Sequence, residues 1–431
     1  MILTNKVPLA FRLTRHALIV SSLILSIISF SAYSVTIINF GASAFTGKDK
    51  RGYAEVISAF EADNPDIKIR LRILNGESFS TINKSLIQRL ANDPYHIDIL
   101  AWYGGKRTEE LAKKGLLQPL DDFWQQENFD HAFGPANKEN VSYNANVYGI
   151  PVTYYPWGFY YKKKVFERLK LQVPATWSDF LNTLAILKTN NITPIAIGTK
   201  EPWPAAGWFD YLILRNNSFS FYKQLMNGEI PYSSKPVIEA ITLWQNLINN
   251  KYFSRSPQKL NGENLLPLIS REVAGVQLIG SFALNNIADK FKKEFGYFAF
   301  PNMEIVSGRI NENNEIAPLS TISLLKSSKY KEQALRFVNY LALPESQFLL
   351  NEDKDMLSPH IAVQNERKEL IGQGKQQLEN ATHLSQYFDR ETKQAMAKFA
   401  KQAFADFIEH GDIDRLVGQL EKQRKKVFPQ Q

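Results

Sequence analysis

The sequence predicts an α/β protein built as two lobes. Its 431 residues are more than one compact hydrophobic core normally supports, which favours two or three folding units. Strand and helix patterns alternate from residue 36 to residue 114, and a second set of strands and helices begins after residue 150. Alternation of this kind in the first half predicts a parallel sheet with helices on both faces. We expect a second α/β unit of similar size in the other half.

Residues 1–34 have the pattern of a signal peptide for secretion. Three basic residues precede an apolar run from Ala17 to Phe30, and Ala32-Tyr33-Ser34 then offers small residues for cleavage. The run is short for a membrane span. We therefore predict export to the periplasm, with an uncleaved signal anchor as the alternative.

Composition excludes several classes of site. The chain has no cysteine, which rules out disulfides, thiolate metal ligands, a cysteine nucleophile and a lipid anchor on cysteine. Removal of the signal peptide lowers the formal net charge from +8 to +5. The basic clusters adjoin helical patterns and form no concentrated stripe, so we predict no binding to nucleic acid.

The first half contains three predicted strand–helix units. The clearest is the alternation of Ile67, Ile69 and Leu71 with Lys68 and Arg70, which is typical of a strand with one buried face. In order, the predicted elements are a strand at 36–40, a helix at 53–60, a strand at 67–73, a helix marked by Ile82, Leu86 and Leu90, a strand at 97–101 and a helix at 107–114.

The second half has a similar pattern, followed by a third stretch. Thr176-Trp177-Ser178-Asp179 resembles a capping box and predicts the start of a helix. Strands are predicted at 159–161, 194–198, 276–279, 296–300 and 319–325, with helices at 236–249 and 333–343. Chain crossings near 151–154, 300–303 and 352–358 would interleave the lobes. We predict a first lobe from 35–153 and 302–355, and a second lobe from 154–301 and the C-terminal helices of 356–431.

No catalytic or metal-binding motif is present. Nucleophile-elbow, zinc-protease, phosphate-loop and dinucleotide-binding patterns are all missing from the sequence. The histidines lack metal-ligand spacing, and the adjacent Asp121 and Asp122 are more simply residues at the start of a helix. We therefore predict a protein that is not an enzyme and that needs no metal or cofactor.

Aromatic residues follow the predicted strands. Ligands of open parallel sheets bind beyond the carboxyl ends of the strands, and the C–H face of a sugar packs well on a flat ring. Glycines at 104 and 105 would let the backbone approach a ligand. The predicted ligand-binding residues are Trp102, Tyr103, Tyr154, Tyr155, Trp157, Trp203, Trp208, Asp210, Ser281 and Phe282.

A series of motifs resembles the family 1 extracellular solute-binding proteins of ABC importers, the maltose-binding-protein-like, sugar-binding group. The most specific is Pro174-Ala175-Thr176-Trp177-Ser178-Asp179-Phe180. The others, in chain order, are Phe60 to Ile67, Asp98 to Trp102, Gly149-Ile150-Pro151, Phe159 to Lys163, Glu201-Pro202-Trp203 and Gly280-Ser281-Phe282. Three positions depart from the family pattern. A tyrosine at 154 or 155 replaces an acidic contact, Gly105 replaces an aspartate and Phe282 replaces a tryptophan.

The resemblance implies a periplasmic binding protein fold with interleaved segments and a three-strand hinge. It implies that the lobes close on a sugar or oligosaccharide, and that the protein then meets the membrane subunits of an importer, most simply as a monomer. Trp102 and Tyr103 would stand on one lobe, and Tyr155, Trp203 and Phe282 on the other, with Trp208 and Asp210 beside them. Two alternatives stay open, a ligand receptor for a sensor kinase and, less favoured, a secreted glycan hydrolase.

Overall fold

The computed structural model describes residues 35–42, 47–74, 90, 96–303, 312–363 and 369–429. The predicted signal peptide at 1–34 lies outside these residues, as does the predicted second helix apart from Leu90.

The described residues form strands and helices throughout both halves of the chain. The strands are β1 (Thr36–Ala42), β2 (Ile67–Ile73), β3 (Ile99–Tyr103), β4 (Ser142–Tyr143), β5 (Asn146–Val147), β6 (Ile150–Thr153), β7 (Trp157–Lys162), β8 (Thr193–Ile195), β9 (Ala274–Gly280), β10 (Phe295–Phe298), β11 (Asn314–Ile316), β12 (Ser320–Leu324) and β13 (His383–Ser385). The α-helices are α1 (Gly47–Asp63), α2 (Lys106–Lys113), α3 (Asp121–Gln126), α4 (Pro135–Glu139), α5 (Lys163–Leu169), α6 (Trp177–Thr189), α7 (Pro204–Asn216), α8 (Phe219–Met226), α9 (Lys235–Asn249), α10 (Leu266–Ser270), α11 (Asp289–Lys292), α12 (Lys331–Ala342), α13 (Pro344–Asn351), α14 (Glu369–Glu379), α15 (Phe388–Glu391), α16 (Gln394–His410) and α17 (Ile413–Val427).

The first sheet has the strand order β2-β1-β3-β12-β6. β1, β2 and β3 are parallel, and β12 is antiparallel to both β3 and β6. Within β2, Ile67 and Ile69 are buried whereas Lys68 and Arg70 are exposed, because successive side chains of a strand point to opposite faces. These three strands confirm the predicted parallel arrangement, and α1 and α2 confirm the helices predicted after β1 and β3. β12 arrives from the third predicted stretch and completes the sheet.

The second sheet has the strand order β10-β7-β9-β8. β7 lies between β10 and β9 and runs antiparallel to both, while β8 is parallel to β9. Its core is aromatic. Phe159 of β7 stacks on Phe298 of β10 with ring centroids 5.0 Å apart, and it also contacts Phe180 and Trp208.

The predicted capping box is present at the start of α6. The backbone N–H of Asp179 donates to the Thr176 hydroxyl, and the backbone N–H of Thr176 donates to the Asp179 carboxylate, both at 3.2 Å. This reciprocal pair satisfies two donors that a helix start would otherwise leave open. It directs Trp177 and Phe180 into the aromatic core.

The connections between the two sheets lie close together. Tyr154 and Leu357 exchange two backbone hydrogen bonds of 3.0 Å, so the first and last crossings are adjacent. The middle crossing lies later in the chain than the predicted 300–303. Asn302 is still paired with Ala175 and Trp177 beside the second sheet, and the chain enters the first sheet only at β12.

The C-terminal helices pack on the second sheet's side of the molecule. α16 contacts α7 and α9, and α17 contacts α9. Phe404 of α16 stacks on Phe209 of α7 at 4.5 Å, and Phe407 packs edge-on against Trp244 of α9 at 5.2 Å. These buried rings fix the turn that precedes α16, which matters for the site below.

Candidate ligand-binding site

A cavity of about 440 Å³ is lined by strands of the first sheet, by the segment that follows β9 of the second sheet, and by the connections between the sheets. This volume lies within the range of small-molecule sites in proteins. Its aromatic lining comes from Tyr53 of α1, Trp102 and Tyr103 of β3, Tyr155 of the first crossing and Phe282. The cavity therefore joins the two halves of the molecule through rings on opposite sides.

The first wall stands at the carboxyl end of β3. Trp102 is 3% exposed and packs on an apolar cluster that includes Leu111, Leu117 and Leu325, while Tyr103 is half-buried. The two ring centroids are 6.0 Å apart. The strand extends two residues beyond the predicted Ala101, so these rings belong to its carboxyl end rather than to the segment that follows it.

The second wall is formed by Tyr155 and Phe282, which meet edge-on at 5.4 Å. Gly280 ends β9 two residues before Phe282, and a Cβ built on it would lie 2.5 Å from the Phe282 ring. Only glycine leaves room for that ring to fold back over the strand end. Trp203, also predicted to bind the ligand, is half-buried behind this wall, with its ring centroid 5.9 Å from that of Phe282. It is not part of the cavity lining.

Arg390 completes the cavity and was missed by sequence reasoning. Its guanidinium lies 3.7 Å from the centroid of the Tyr103 ring and is hydrogen-bonded to Tyr155. Burial raises the pKa of Tyr103 to about 12, although the positive charge of Arg390 opposes this shift. Arg390 lies in a C-terminal segment without a motif, and no signal in the sequence connects it to β3.

Two further charged groups of the first lobe's side meet at the cavity. Lys354 pairs with Asp49 of α1 at 3.5 Å. Burial lowers the pKa of Lys354, and the attraction of Asp49 opposes that shift. Polar groups that could hydrogen-bond a ligand are also present in the lining, including Thr153, Ser320 and Asn286.

Two predicted site residues lie elsewhere. Trp208 is 1% exposed in the aromatic core, where it contacts Phe159 and Phe253. Asp210 is fully buried in α7, where its carboxylate accepts hydrogen bonds from the Phe388 backbone at 2.8 Å and the Tyr222 hydroxyl at 3.1 Å. The prediction that both line the cleft is wrong, because α7 is buried along its whole length rather than on one face.

Tyr154, Trp157 and Ser281 also lie outside the cavity. Tyr154 is buried at the hinge bridge, and Trp157 stacks on Tyr387 at 4.6 Å. The Ser281 hydroxyl donates to the Asp355 backbone carbonyl at 2.6 Å. These three residues support the wall from behind, whereas their neighbours Tyr155 and Phe282 form its surface.

The glycine pair after Trp102 has a different role from the predicted ligand approach. A Cβ on Gly104 would lie 2.8 Å from the Asn140 carbonyl, and one on Gly105 would lie 2.6 Å from the Gln386 side chain. Gly105 also has φ +63°, a conformation that other residues adopt at a cost. The pair therefore allows the end of β3 to pack against Asn140 and the C-terminal segment.

A larger groove of about 860 Å³ lies beside Lys188, Lys251 and His410, and its lining comes from the second lobe alone. It would not respond to movement between lobes, so we favour the smaller cavity. Across the described ranges, no group of three histidine or acidic residues is arranged to hold a metal ion. No helix among them has both the length and the apolar character needed to cross a bilayer.

Comparison with known families decides where this fold belongs. The sequence pattern of the bacterial extracellular solute-binding proteins matches residues 46–348, which is more than half of the chain. The chain belongs to this family. The two-lobe α/β fold with interleaved segments is therefore a solute-binding protein fold, and the family places the protein outside the cytoplasm in the context of ABC transport.

Individual solute-binding proteins of the family are similar over most of their length. An uncharacterised ABC transporter extracellular-binding protein of Pyrococcus horikoshii is 22% identical over 320 residues, covering 73% of this chain and 69% of the relative. A multiple sugar-binding protein of Streptococcus mutans is 24% identical over 305 residues, covering 67% of each. Among solved structures, the bacterial solute receptor AcbH, with an exclusive preference for β-D-galactopyranose, aligns with a TM-score of 0.81 at 22% identity. That alignment covers 91% of this chain and 99% of AcbH.

Proposed function

We propose that this solute-binding protein captures a sugar in the cavity between its lobes and delivers it to an ABC importer, without catalysis. The observation that carries the proposal is one cavity with aromatic walls from two lobes, Trp102 and Tyr103 on one side and Tyr155 and Phe282 on the other. The sugar-binding relative of Streptococcus mutans and the preference of AcbH for a pyranose support the same ligand class.

The lining suits the two surfaces of a sugar. Burying the C–H faces against aromatic rings gains roughly 25 cal/mol for each Å² removed from water. Hydroxyls around the ring require hydrogen bonds, which Thr153, Ser320 and Asn286 are placed to supply. An unpaired buried polar group costs about 1–3 kcal/mol, so these contacts would discriminate between sugars.

Binding would be coupled to closure of the lobes. The first and last crossings meet at the Tyr154–Leu357 bridge, next to Tyr155 of the second wall. A ligand that touches both walls favours the closed arrangement, in proportion to its greater affinity for that arrangement. Closed protein would then dock on the importer's membrane subunits.

Several finer features belong to the same proposal. Residues 1–34 would be removed as the protein enters the periplasm, leaving a soluble monomer with no lipid anchor, metal or cofactor. The lobe boundaries predicted at 153 and 355 stay predictions. Sequencing the N-terminus of protein recovered from the periplasm would test the cleavage.

Calorimetric titration of the wild-type protein and two variants with mono- and oligosaccharides tests sugar binding. Phe282→Ala removes a ring of the second wall and should weaken binding at least tenfold without loss of fold. Tyr330→Ala is the matched control, because Tyr330 is 45% exposed on the outer surface. Equal affinity of the Phe282 variant and the wild type, or turnover of the sugar, would contradict the proposal.

A further inference from the structure

We propose, on the basis of the sugar-binding function above, that the ligand carries a carboxylate and that Arg390 holds it. The cavity would then select uronic acids, or oligosaccharides that contain them, over their neutral counterparts. Arg390 lines the cavity between Tyr103 and Tyr155, so it touches rings of both walls. A single cation in this position would contact any ligand that bridges the lobes.

The turn that carries Arg390 is held rigidly. The Phe388 backbone donates to Asp210 at 2.8 Å, and the Phe388 ring is fully buried. Arg107 of α2 donates to the backbone carbonyls of Asp389 and Thr392 on either side of Arg390. The guanidinium is therefore positioned before a ligand arrives, which lowers the entropy cost of binding.

The neighbouring carboxylates are bound to other partners. Asp389 accepts from Lys401 at 2.8 Å, and Glu391 accepts from Lys223 at 2.6 Å. Nη1 of Arg390 is buried, and within the described parts of the chain it has no hydrogen-bond partner. Nη1 itself has no open surface, whereas Arg390 as a whole is half-buried and lines the cavity, so an anion would meet the accessible part of the side chain. An anion that pairs with this partly desolvated charge would be bound strongly.

The other charged residues of the cavity lining do not form an ion pair with Arg390. Lys354 and Asp49 form their own pair at 3.5 Å. Glu263 lies on the 3-10 helix Gly262–Asn264, where its side chain is largely exposed although partial burial raises the pKa of its carboxyl. The lining thus contains one cation–carboxylate pair, one exposed carboxylate and Arg390.

A carboxylate fits this guanidinium better than a hydroxyl does. Both can accept from the guanidinium, but hydrogen bonds between two charged groups are about twice as strong as neutral ones, and the planar fork matches a carboxylate. The rest of a uronic acid keeps the C–H faces and hydroxyls of the neutral sugar. We therefore expect at least tenfold tighter binding of a uronate than of the hexose that differs only at that carbon.

Matched ligand pairs test the inference by calorimetry at neutral pH. The pairs are D-galacturonate with D-galactose, D-glucuronate with D-glucose, and digalacturonate with a neutral digalactoside. Arg390→Gln keeps a hydrogen-bond donor and removes the charge, whereas Arg390→Lys keeps the charge and removes the fork. Arg336→Gln is the control, because Arg336 forms an exposed pair with Asp66 away from the cavity. Circular dichroism and melting temperature confirm that each variant is folded.

The expected result for the wild type is an affinity for the uronate at least tenfold higher than for the neutral sugar in at least one pair. This ratio should fall to about one in Arg390→Gln, be partly kept in Arg390→Lys and be fully kept in Arg336→Gln. If neutral sugars bind as tightly as uronates, the inference is overturned while sugar binding stands. If no sugar of either kind binds, both proposals fail. If the preference for the uronate survives in Arg390→Gln, another group binds the carboxylate and the role of Arg390 is overturned.

Discussion

Replacing Glu315 with glutamine should destabilise the protein by about 3–5 kcal/mol, the usual cost of leaving one member of a buried ion pair alone. Glu315 lies on β11, in the middle crossing between the lobes, and is paired with Arg215 at 2.5 Å. Both side chains are only 2% exposed. The same carboxylate accepts from the Tyr211 hydroxyl at 3.1 Å and from the Gln377 amide at 2.5 Å.

The magnitude follows from what the substitution leaves behind. Every partner of the Glu315 carboxylate is a donor, so the amide N–H₂ of a glutamine at this position would point at Arg215 or Gln377. The Arg215 guanidinium keeps only uncharged acceptors, which are the backbone carbonyls of Phe300 and Asn314 and at most the amide oxygen of the glutamine. It therefore stays charged in the interior without a counter-charge, which is the costly outcome.

Urea unfolding followed by tryptophan fluorescence measures the loss, provided that the slope of the transition is unchanged. Arg215→Gln/Glu315→Gln should be less destabilised than the sum of the single variants, because two amides can pair with each other. Glu369→Gln breaks an exposed pair with Lys163 and should shift stability by less than about 0.5 kcal/mol. A loss below about 1 kcal/mol in Glu315→Gln would refute the reasoning.

Three other substitutions have defined outcomes. Burial raises the pKa of Asp210 well above the ordinary carboxyl value, so the unfolded chain ionises first as pH rises and the wild type loses stability over that interval. The free energy of unfolding of Asp210→Asn should therefore rise relative to the wild type by up to about 1.4 kcal/mol per pH unit between the unfolded and the folded pKa of Asp210. Urea titrations at several pH values should show that this advantage disappears below the unfolded pKa. Gly105→Ala should cost about 1–3 kcal/mol in thermal unfolding because of positive φ and the clash with Gln386, whereas Gly115→Ala, with positive φ and open space, should cost less. Thr176→Ala should lower the free energy of unfolding by about 1 kcal/mol through loss of the N-cap, and an unchanged melting temperature would contradict this.

The sequence predicted correctly those elements that are determined by residues close together in the chain. The alternation in 67–73 and the capping box at Thr176 depend on neighbouring residues, and both occur where the sequence placed them. β11 was not predicted, because this three-residue strand is stabilised by pairing with β13, far along the chain. Its pairing became visible only once the fold had brought the two segments together.

The errors at Trp208 and Asp210 have a different origin. The sequence places both at the start of a helix that follows the strand ending at Gly198, and predicts from this position that they face a ligand. Residues 204–216 are apolar on nearly all sides, which is the pattern of a fully buried helix rather than of a helix at a cleft. That signal was available in the sequence, and it would have placed Trp208 in the core. A carboxylate at position 210 of that helix is explained only by its hydrogen-bond partners Phe388 and Tyr222, and the sequence does not show that these residues lie beside it.

The apolar and charged parts of the cavity differ in how they are encoded. Trp102 lies at the carboxyl end of β3 and Phe282 lies two residues after β9, so the two sheets place these rings and the sequence reveals them. Arg390 reaches Tyr103 only because α16 packs on α7 and sets the preceding turn against the first lobe. A ligand class defined by ring stacking can thus be inferred from strand ends alone. The charge of the ligand depends on a side chain whose place is fixed by packing over the whole second lobe, and this is why the preference for a carboxylate emerges from the structure and not from the motifs.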